Sequence, residues 1–550
     1  MKKIFFRLMA TSLIVGSLNF SPIIFDAENN FQVISIARAE IQTYVASDTA
    51  IFDFGEDDEK IVATVKNVAK MRAEQAAKEE AGVYLKSYSK GVSGTLTDDD
   101  IFAYTSNNIE VVDVAYKKIP VQAHDVRGKD TGKIAFMYEA TVTAKIDTAE
   151  LTAYIKRDET EKAELIQQNK DFQKSAEEIN KNFEDLRKNA ENKTSEQIKS
   201  EVEKIDNDIL AMQKNNEGVK LYHAGNYQDA IFKYNEALQL NPNYSLAYNN
   251  RGAAYRAMKN YLQAIEDYSK AIEINPAYAD AYNNRGNVYH DLKRYNDSLA
   301  DFNETLQLNP NYVLAYNNRG FLYRDMKQYN NALADLNKAI QLNPKFAEAY
   351  NNRGLTYNDL RQYDNAIPDL EKAVELKPDF AVAYNNLGLS YHGKKNYSAA
   401  IEAYEKSMTA DPNYARAYVN RAAAYIDTKK FEIAVDDCNS AIQINPNFID
   451  AYYNRGLARQ RLNQNDAALA DYTKTIELNP NYVNSYNNRG NVYFALKNYS
   501  RAIEDYTRAI ELNSNFALAY HNRGLSYKRL GNLQKAEEDF SRAKELGYKG

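Results

Sequence analysis

From Ala211 to Gly550 the sequence repeats every 34 residues, in ten blocks that begin at 211, 245, 279, 313, 347, 381, 415, 449, 483 and 517. A period of this length holds one small supersecondary unit, too small to bury its own apolar face. Neighbouring units must therefore stack, which excludes a single globular core over this stretch and calls for a solenoid. The segment Ala-Tyr-Asn-Asn-Arg-Gly-Asn-Val-Tyr at 281–289 has counterparts in register at 247–255, 315–323, 349–357 and 485–493. The skew to 44 Tyr with no Trp has the same origin, one short unit copied many times.

The residues say what the unit is. The eighth position of a block is Gly in nine of ten (Gly218, Gly252, Gly286, Gly320, Gly354, Gly388, Gly456, Gly490 and Gly524), with Ala422 in block seven. Alanines such as Ala264 and Ala271 recur on a second helix, so two helix backbones can approach closely. Tyr248, Tyr255 and Tyr268 fill the space beside that contact, each burying a ring while its hydroxyl stays wet. The second helix stops at Asn-Pro, as at 275–276 and 309–310, because proline disfavours helix before it and cannot continue one. Pro368, inside the second helix of block five, predicts a local kink or an early position where proline is tolerated. Period, glycine, alanine and proline together resemble the tetratricopeptide repeat. The resemblance covers residues 211–550 and implies a mainly α protein, a right-handed α-solenoid of ten repeats whose first helices line a concave groove.

Both ends of the array depart from the pattern. Ile265 and Ile272, or Ile503 and Ile510, mark two second-helix positions that are apolar through block nine; in block ten they are Glu537 and Lys544. That face is expected to meet water and cap the stack. Block one has Lys214 and Glu217 instead of the usual Tyr and Arg, and its first helix is expected to continue from the segment before it.

Three regions precede the array. Residues 1–39 open with Met1-Lys2-Lys3 and an apolar run to Phe25, then reach Ala37-Arg38-Ala39. This reads as a secretory signal peptide, with an uncleaved membrane anchor as the alternative, since Leu8–Phe25 just spans a bilayer. Residues 40–150 read as a small α+β domain: an apolar helical stripe through Val62, Val65, Ala69, Ala73 and Ala76, a short helix at 97–106, and β-rich runs at 109–121 and 134–146 joined as a hairpin by a turn at 125–132. The stretch at 81–87 with the following hairpin resembles small domains of bacterial envelope proteins. Residues 151–210 form a charged helical spacer. Its seams, Phe172–Ala190 and Ile198–Ile209, have coiled-coil spacing, which leaves open a helical hairpin within the chain or a dimerising coiled coil.

The candidate site follows from the resemblance. The sixth position of every block is Asn: Asn216, Asn250, Asn284, Asn318, Asn352, Asn386, Asn420, Asn454, Asn488 and Asn522. A carboxamide has one acceptor and two donors, so a stacked row could hold an extended peptide by its C=O and N–H groups. The row is similar to the asparagine ladder in the repeat domain of O-linked N-acetylglucosamine transferases, here without the transferase domain; it could equally be a common feature of this family position. Further along the first helix, Arg256, His290, Arg324, Asn358 and His392 are candidates for setting groove specificity. The Arg after the ladder Asn, present in eight blocks, is expected to pair with carboxylates at the Asp267 and Asp505 positions, or else to bind acidic ligands. The net charge of −6 gives no reason to expect nucleic acid. One cysteine, Cys438, excludes a disulfide framework or a multi-cysteine metal site, and its place among large apolar positions reads as a buried thiol.

No phosphate loop, nucleophile elbow, dinucleotide fingerprint or metalloprotease motif occurs. We therefore expect no enzyme activity, no cofactor, no metal site and no catalytic residue. The expected function is an exported protein–protein interaction scaffold of the periplasm, cell envelope or extracellular space that binds extended peptide segments of partner proteins in its groove. The alternative is an accessory subunit presenting polypeptide substrates to an envelope enzyme. Membrane association through a retained N-terminus, and either monomer or oligomer, fit both.

Overall fold

The computed structural model describes residues 41–52, 59–89, 104, 109–124, 130–147 and 159–549. Residues 1–39, expected to be a signal peptide, lie outside these, as do most of the helix expected at 97–106 and residues 125–129 of the hairpin turn. The chain divides into two compact units, residues 1–315 and 316–550.

The first unit begins with an antiparallel sheet of order β1-β3-β2, from β1 (Ile41–Phe52), β2 (Ile109–His124) and β3 (Asp130–Asp147). The hairpin expected between the last two is present, with Tyr116 opposite Ala140 and a register shift between Val111 and Asp113. The sequence reading missed β1, which pairs with β3 from Ile41↔Asp147 to Phe52↔Phe136. Helix α1 (Glu59–Ser89) carries Val65, Val68, Ala69 and Ala73 into a core shared with Ala140, Val142 and Ala144 of β3.

That core does not stop at residue 150. Helix α2 (Glu159–Asn189) adds Ile179, Phe183 and Leu186, and helix α3 (Ser195–His223) adds Ile198, Val202, Ile205 and Ile209. These are the seam positions of residues 151–210, and here they are covered within one chain. Arg72 of α1 bonds Asn180 at 3.0 Å and Glu184 at 2.9 Å on α2, while Asn67 bonds Asp206 at 3.0 Å on α3. Thr194 caps α3 in a reciprocal box with Gln197. Because α3 runs unbroken from the seam to His223, it is also the first helix of repeat one, as expected.

The repeats are pairs of helices stacked as an α-solenoid within each unit. From repeat two on, first helices are 13 residues long, as in Ala347–Asp359; second helices are 14, as in Tyr363–Leu376, up to repeat nine. The eighth-position glycine lies against the ring or branch at position 24 of the same repeat. A Cβ on Gly252 would sit 2.9 Å from Tyr268, and one on Gly388 would run into the Tyr404 ring. Pro368 is the sixth residue of its helix, with an exposed ring, and that helix is as long as its counterparts. Glu537 and Lys544 are exposed, and Cys438 is fully buried.

The turn between the two helices of a repeat has an unusual backbone. Gly225 and Gly531 adopt φ 80 in repeats one and ten. The eight turns between them place Lys259, Lys293, Lys327, Arg361, Lys395, Lys429, Asn463 and Lys497 at φ 57 to 62. Each closes the helix end with a paired bond: Lys259 N–H donates to the Arg256 carbonyl and Asn260 N–H to that of Tyr255, both at 2.8 Å. A side chain in this left-handed conformation costs about 1 kcal/mol relative to glycine.

Candidate peptide-binding site

Successive first helices touch one another more closely than successive second helices do, so within each unit the stack bends toward its first helices. Positions 2, 5, 9 and 12 step by 3, 4 and 3 and form one stripe of each first helix. Position 8 meets the second helix of its own repeat, which leaves that stripe for the inner face.

The ladder asparagines form a hydrogen-bonded zipper between repeats. Asn250 donates to Asn215 at 3.0 Å, Asn284 to Asn249 at 3.1 Å, Asn352 to Asn317 at 2.9 Å, Asn386 to Asn351 at 2.9 Å and Asn420 to Asn385 at 2.8 Å. Each acceptor is the fifth residue of the preceding repeat. Within a repeat the fifth Asn donates back to the sixth, as Asn351 does to Asn352 at 3.2 Å and Asn317 to Asn318 at 3.4 Å. Where the fifth residue changes, the ladder adapts: Asn454 donates to the Val419 carbonyl at 3.4 Å and Asn488 to the Tyr453 hydroxyl at 3.1 Å. Asn522 reaches both Asn487 and Asn491. Asn216, in repeat one, is half-buried.

The zipper uses one N–H and one lone pair on a typical carboxamide, half of its capacity. The fifth-position asparagines, nearly buried at 1% for Asn385 and 5% for Asn351, were not singled out from sequence. Their signal was the doubled Asn in Asn-Asn-Arg-Gly. Only the stacked geometry shows that one Asn of each pair faces forward and the other back.

The specificity candidates are also tied across repeats. Arg256 pairs with Asp291 at 3.1 Å, Arg324 with Asp359 at 2.7 Å and His392 with Asp427 at 2.9 Å. Asn358 donates to the Asn386 carbonyl at 3.0 Å and accepts from Ser390 at 2.6 Å. His290 lies 5.8 Å from the Tyr295 ring. A ligand on this face would meet charges that are already paired.

The Arg row is wholly internal. In eight repeats the seventh-position Arg forms a two-pronged pair with the Asp at position 23, as Arg285 does with Asp301 at 2.8 Å through both Nε and Nη2. The remaining nitrogen usually reaches the second helix of the preceding repeat; Arg285 reaches Ser269 at 3.0 Å and Arg353 reaches Asn337 at 2.6 Å. The two exceptions are informative. Repeat one has the charges reversed, with Glu217 2.8 Å from Lys233. In repeat six both positions are apolar, and Leu387 and Ala403 are buried in one cluster. The two positions change together within this one chain, as a structural pair would.

A cavity of about 790 Å³ lies in the first unit, between α2 and the loops that open repeats two to four. Tyr278 donates to Asp171 at 3.0 Å, and Tyr244 bonds Ser175 at 3.4 Å. Burial, with the Asp280 charge nearby, pushes the Asp171 carboxyl up to about 7. Helix α2 thus leans on the edge of the early repeats, where Met212, Leu246 and Asp280, at position 2 of the inner stripe, line the same cavity. Among the described residues, no group of three or more His, Cys, Asp or Glu is placed to hold a metal.

Comparison with known proteins agrees with the repeat geometry. Profiles described as TPR repeat match residues 218–259, 252–293 and 490–531. Profiles described as tetratricopeptide repeat match 279–312, 313–346, 347–380, 381–414, 415–448, 449–482, 517–546 and 471–504. Together they span more than half of the chain, and six of them share the block boundaries read from sequence. No curated protein sequence matches. Among solved structures, MamA is 28% identical over 29% of this chain and 94% of its own, with a TM-score of 0.28. YrrB, described as a TPR protein with an unusual peptide-binding site, is 25% identical over 34% of this chain and 95% of its own, with a TM-score of 0.28. A tetratricopeptide repeat protein from Parabacteroides merdae is 20% identical over 45% and 98%, with a TM-score of 0.39. With ten stacked helix pairs, their small-residue contacts and the matched profiles in hand, the chain belongs to the tetratricopeptide repeat family.

Proposed function

We propose that this protein is an exported interaction scaffold of the cell envelope that holds an extended segment of a partner protein along the inner, first-helix face of its repeats. The observation that carries this reading is the asparagine zipper. Its members are locked in orientation by one another, and a half-buried member such as Asn352, which donates once and accepts once, keeps a donor and an acceptor, the two groups that a peptide unit matches. Because both members are held before a ligand arrives, little ordering entropy is lost on binding. The paired charges at positions 12 and 13 add mixed polarity without a net field, which suits a polypeptide better than a polyanion. The signal-like residues 1–39 support a place across a membrane.

The test is photo-cross-linking from defined positions of the full chain in the native envelope fraction. A photoreactive residue at Leu355 or Leu389, both at position 9, is expected to capture polypeptide. The same residue at Glu402, exposed on a second helix, is expected to capture little. Equal capture from both faces would refute the reading.

A further inference from the structure

The turn joining the two helices of a repeat carries a second surface, independent of the inner face. Seven cations stand at the left-handed position of interior turns: Lys259, Lys293, Lys327, Arg361, Lys395, Lys429 and Lys497. All seven are exposed, and none has an ion pair among the described residues. Glycine forms the same turn without strain, as Gly225 and Gly531 do in the two end repeats. The helix dipole does not explain the choice, because a cation one residue earlier would serve it with an ordinary backbone. Strain retained in this way, with a cation at this one position in seven turns, points to a surface that is used.

A second observation lies on the same edge. Exposed large apolar side chains flank several intra-repeat turns: Ile433 and Leu496 beside Lys429 and Lys497, Leu530 and Leu533 (64% exposed) beside Gly531, and, in the first unit, Met258 and Leu262 (77% exposed) beside Lys259. They sit one residue before the left-handed position, or two to four residues after it. A soluble polyanion would use the cations and leave these side chains in water. An anionic bilayer uses both, since lysine meets the headgroup charge while leucine and methionine enter the boundary beneath it.

We propose that the intra-repeat turn edge of the second unit, residues 316–550, is a membrane-docking surface, and that its partner is a bilayer containing anionic phospholipid. The probes are phosphatidylcholine vesicles with and without phosphatidylglycerol, presented to the full chain. The key variant carries Lys327→Gly, Lys395→Gly, Lys429→Gly and Lys497→Gly. These changes relieve the left-handed strain, so the unfolding midpoint should hold or rise and lost binding cannot be put down to misfolding. We expect the wild type to prefer the anionic vesicles, with binding that weakens as salt rises. The variant should lose two to three orders of magnitude in partitioning, about fivefold per cation.

A second variant, Leu496→Ser with Leu530→Ser, should weaken vesicle binding and leave binding to inorganic polyphosphate unchanged. Equal binding of the glycine variant and the wild type to anionic vesicles would overturn the proposal. So would a serine variant that keeps full vesicle binding, which would assign the edge to a soluble polyanion. Failure of the wild type to discriminate between the two vesicle types would also overturn it.

Discussion

The Arg–Asp pairs that join the two helices of a repeat can be tested against the chain's own exceptions. In repeat three the Arg285 and Asp301 side chains are 18% and 7% exposed. Replacing Asp301 with Ala leaves a guanidinium with no carboxylate in a largely water-free site, at a cost of about 3 kcal/mol. Replacing Arg285 with Leu strands the more deeply buried Asp301 and costs at least as much. Repeat six shows the alternative, since Leu387 and Ala403 fill the same two positions with no charge at all. Arg285→Leu combined with Asp301→Ala should therefore return to within about 1 kcal/mol of wild type. Ser269 loses one bond in that variant but is only half-buried and can turn to water. The assay is a double-mutant cycle by urea unfolding followed by circular dichroism. The expected coupling is at least about 2 kcal/mol. A double variant as unstable as the two singles added together would refute the argument, as would an Asp301→Ala variant that costs less than about 1 kcal/mol.

Other outcomes follow from single sites. The Tyr404 hydroxyl is buried without a hydrogen-bond partner, so Tyr404→Phe should hold or gain stability by about 1 kcal/mol in thermal melts. Gly388→Ala should cost about 1–3 kcal/mol, because the new methyl must displace the Tyr404 ring, and a weaker effect would contradict the close approach of the helices. Asp171 is raised from 3.8 to about 7 by burial. Between those values the folded state binds the extra proton, so stability falls as pH rises across the window and levels off above it. The thermal midpoint of the first unit should be higher at pH 5 than at pH 8, and Asp171→Asn should flatten that difference.

The features that repeat were the ones legible in the sequence. Gly252 and its counterparts announced a close helix contact because only a missing side chain at that spacing allows one. The Arg–Asp pairing was readable because Arg251 and Asp267 recur at fixed places. The zipper was only half readable, since Asn250 bonds a residue 35 positions earlier and no single helix reveals which Asn faces which neighbour. The left-handed lysines left no trace, because a cation at or just past a helix's C-terminal end is ordinary and only the backbone angle marks Lys259 as different from Arg256. In the N-terminal region, β1 lacked a clean alternating run around Ala46, Ser47 and Asp48. The seams of α2 and α3 had the spacing of a coiled coil because packing against α1 uses the same helix face. Sequence periodicity shows that a helix face is covered, and does not name what covers it.

The most direct test of the inner-face account is a structure of the full chain with a cross-linked partner segment in place. It predicts an extended backbone running past successive repeats, its C=O and N–H groups within hydrogen-bond distance of the carboxamides of half-buried ladder residues such as Asn352 and Asn420. A segment seated on the second helices or along the turn edge, with those carboxamides meeting only one another and water, would contradict it.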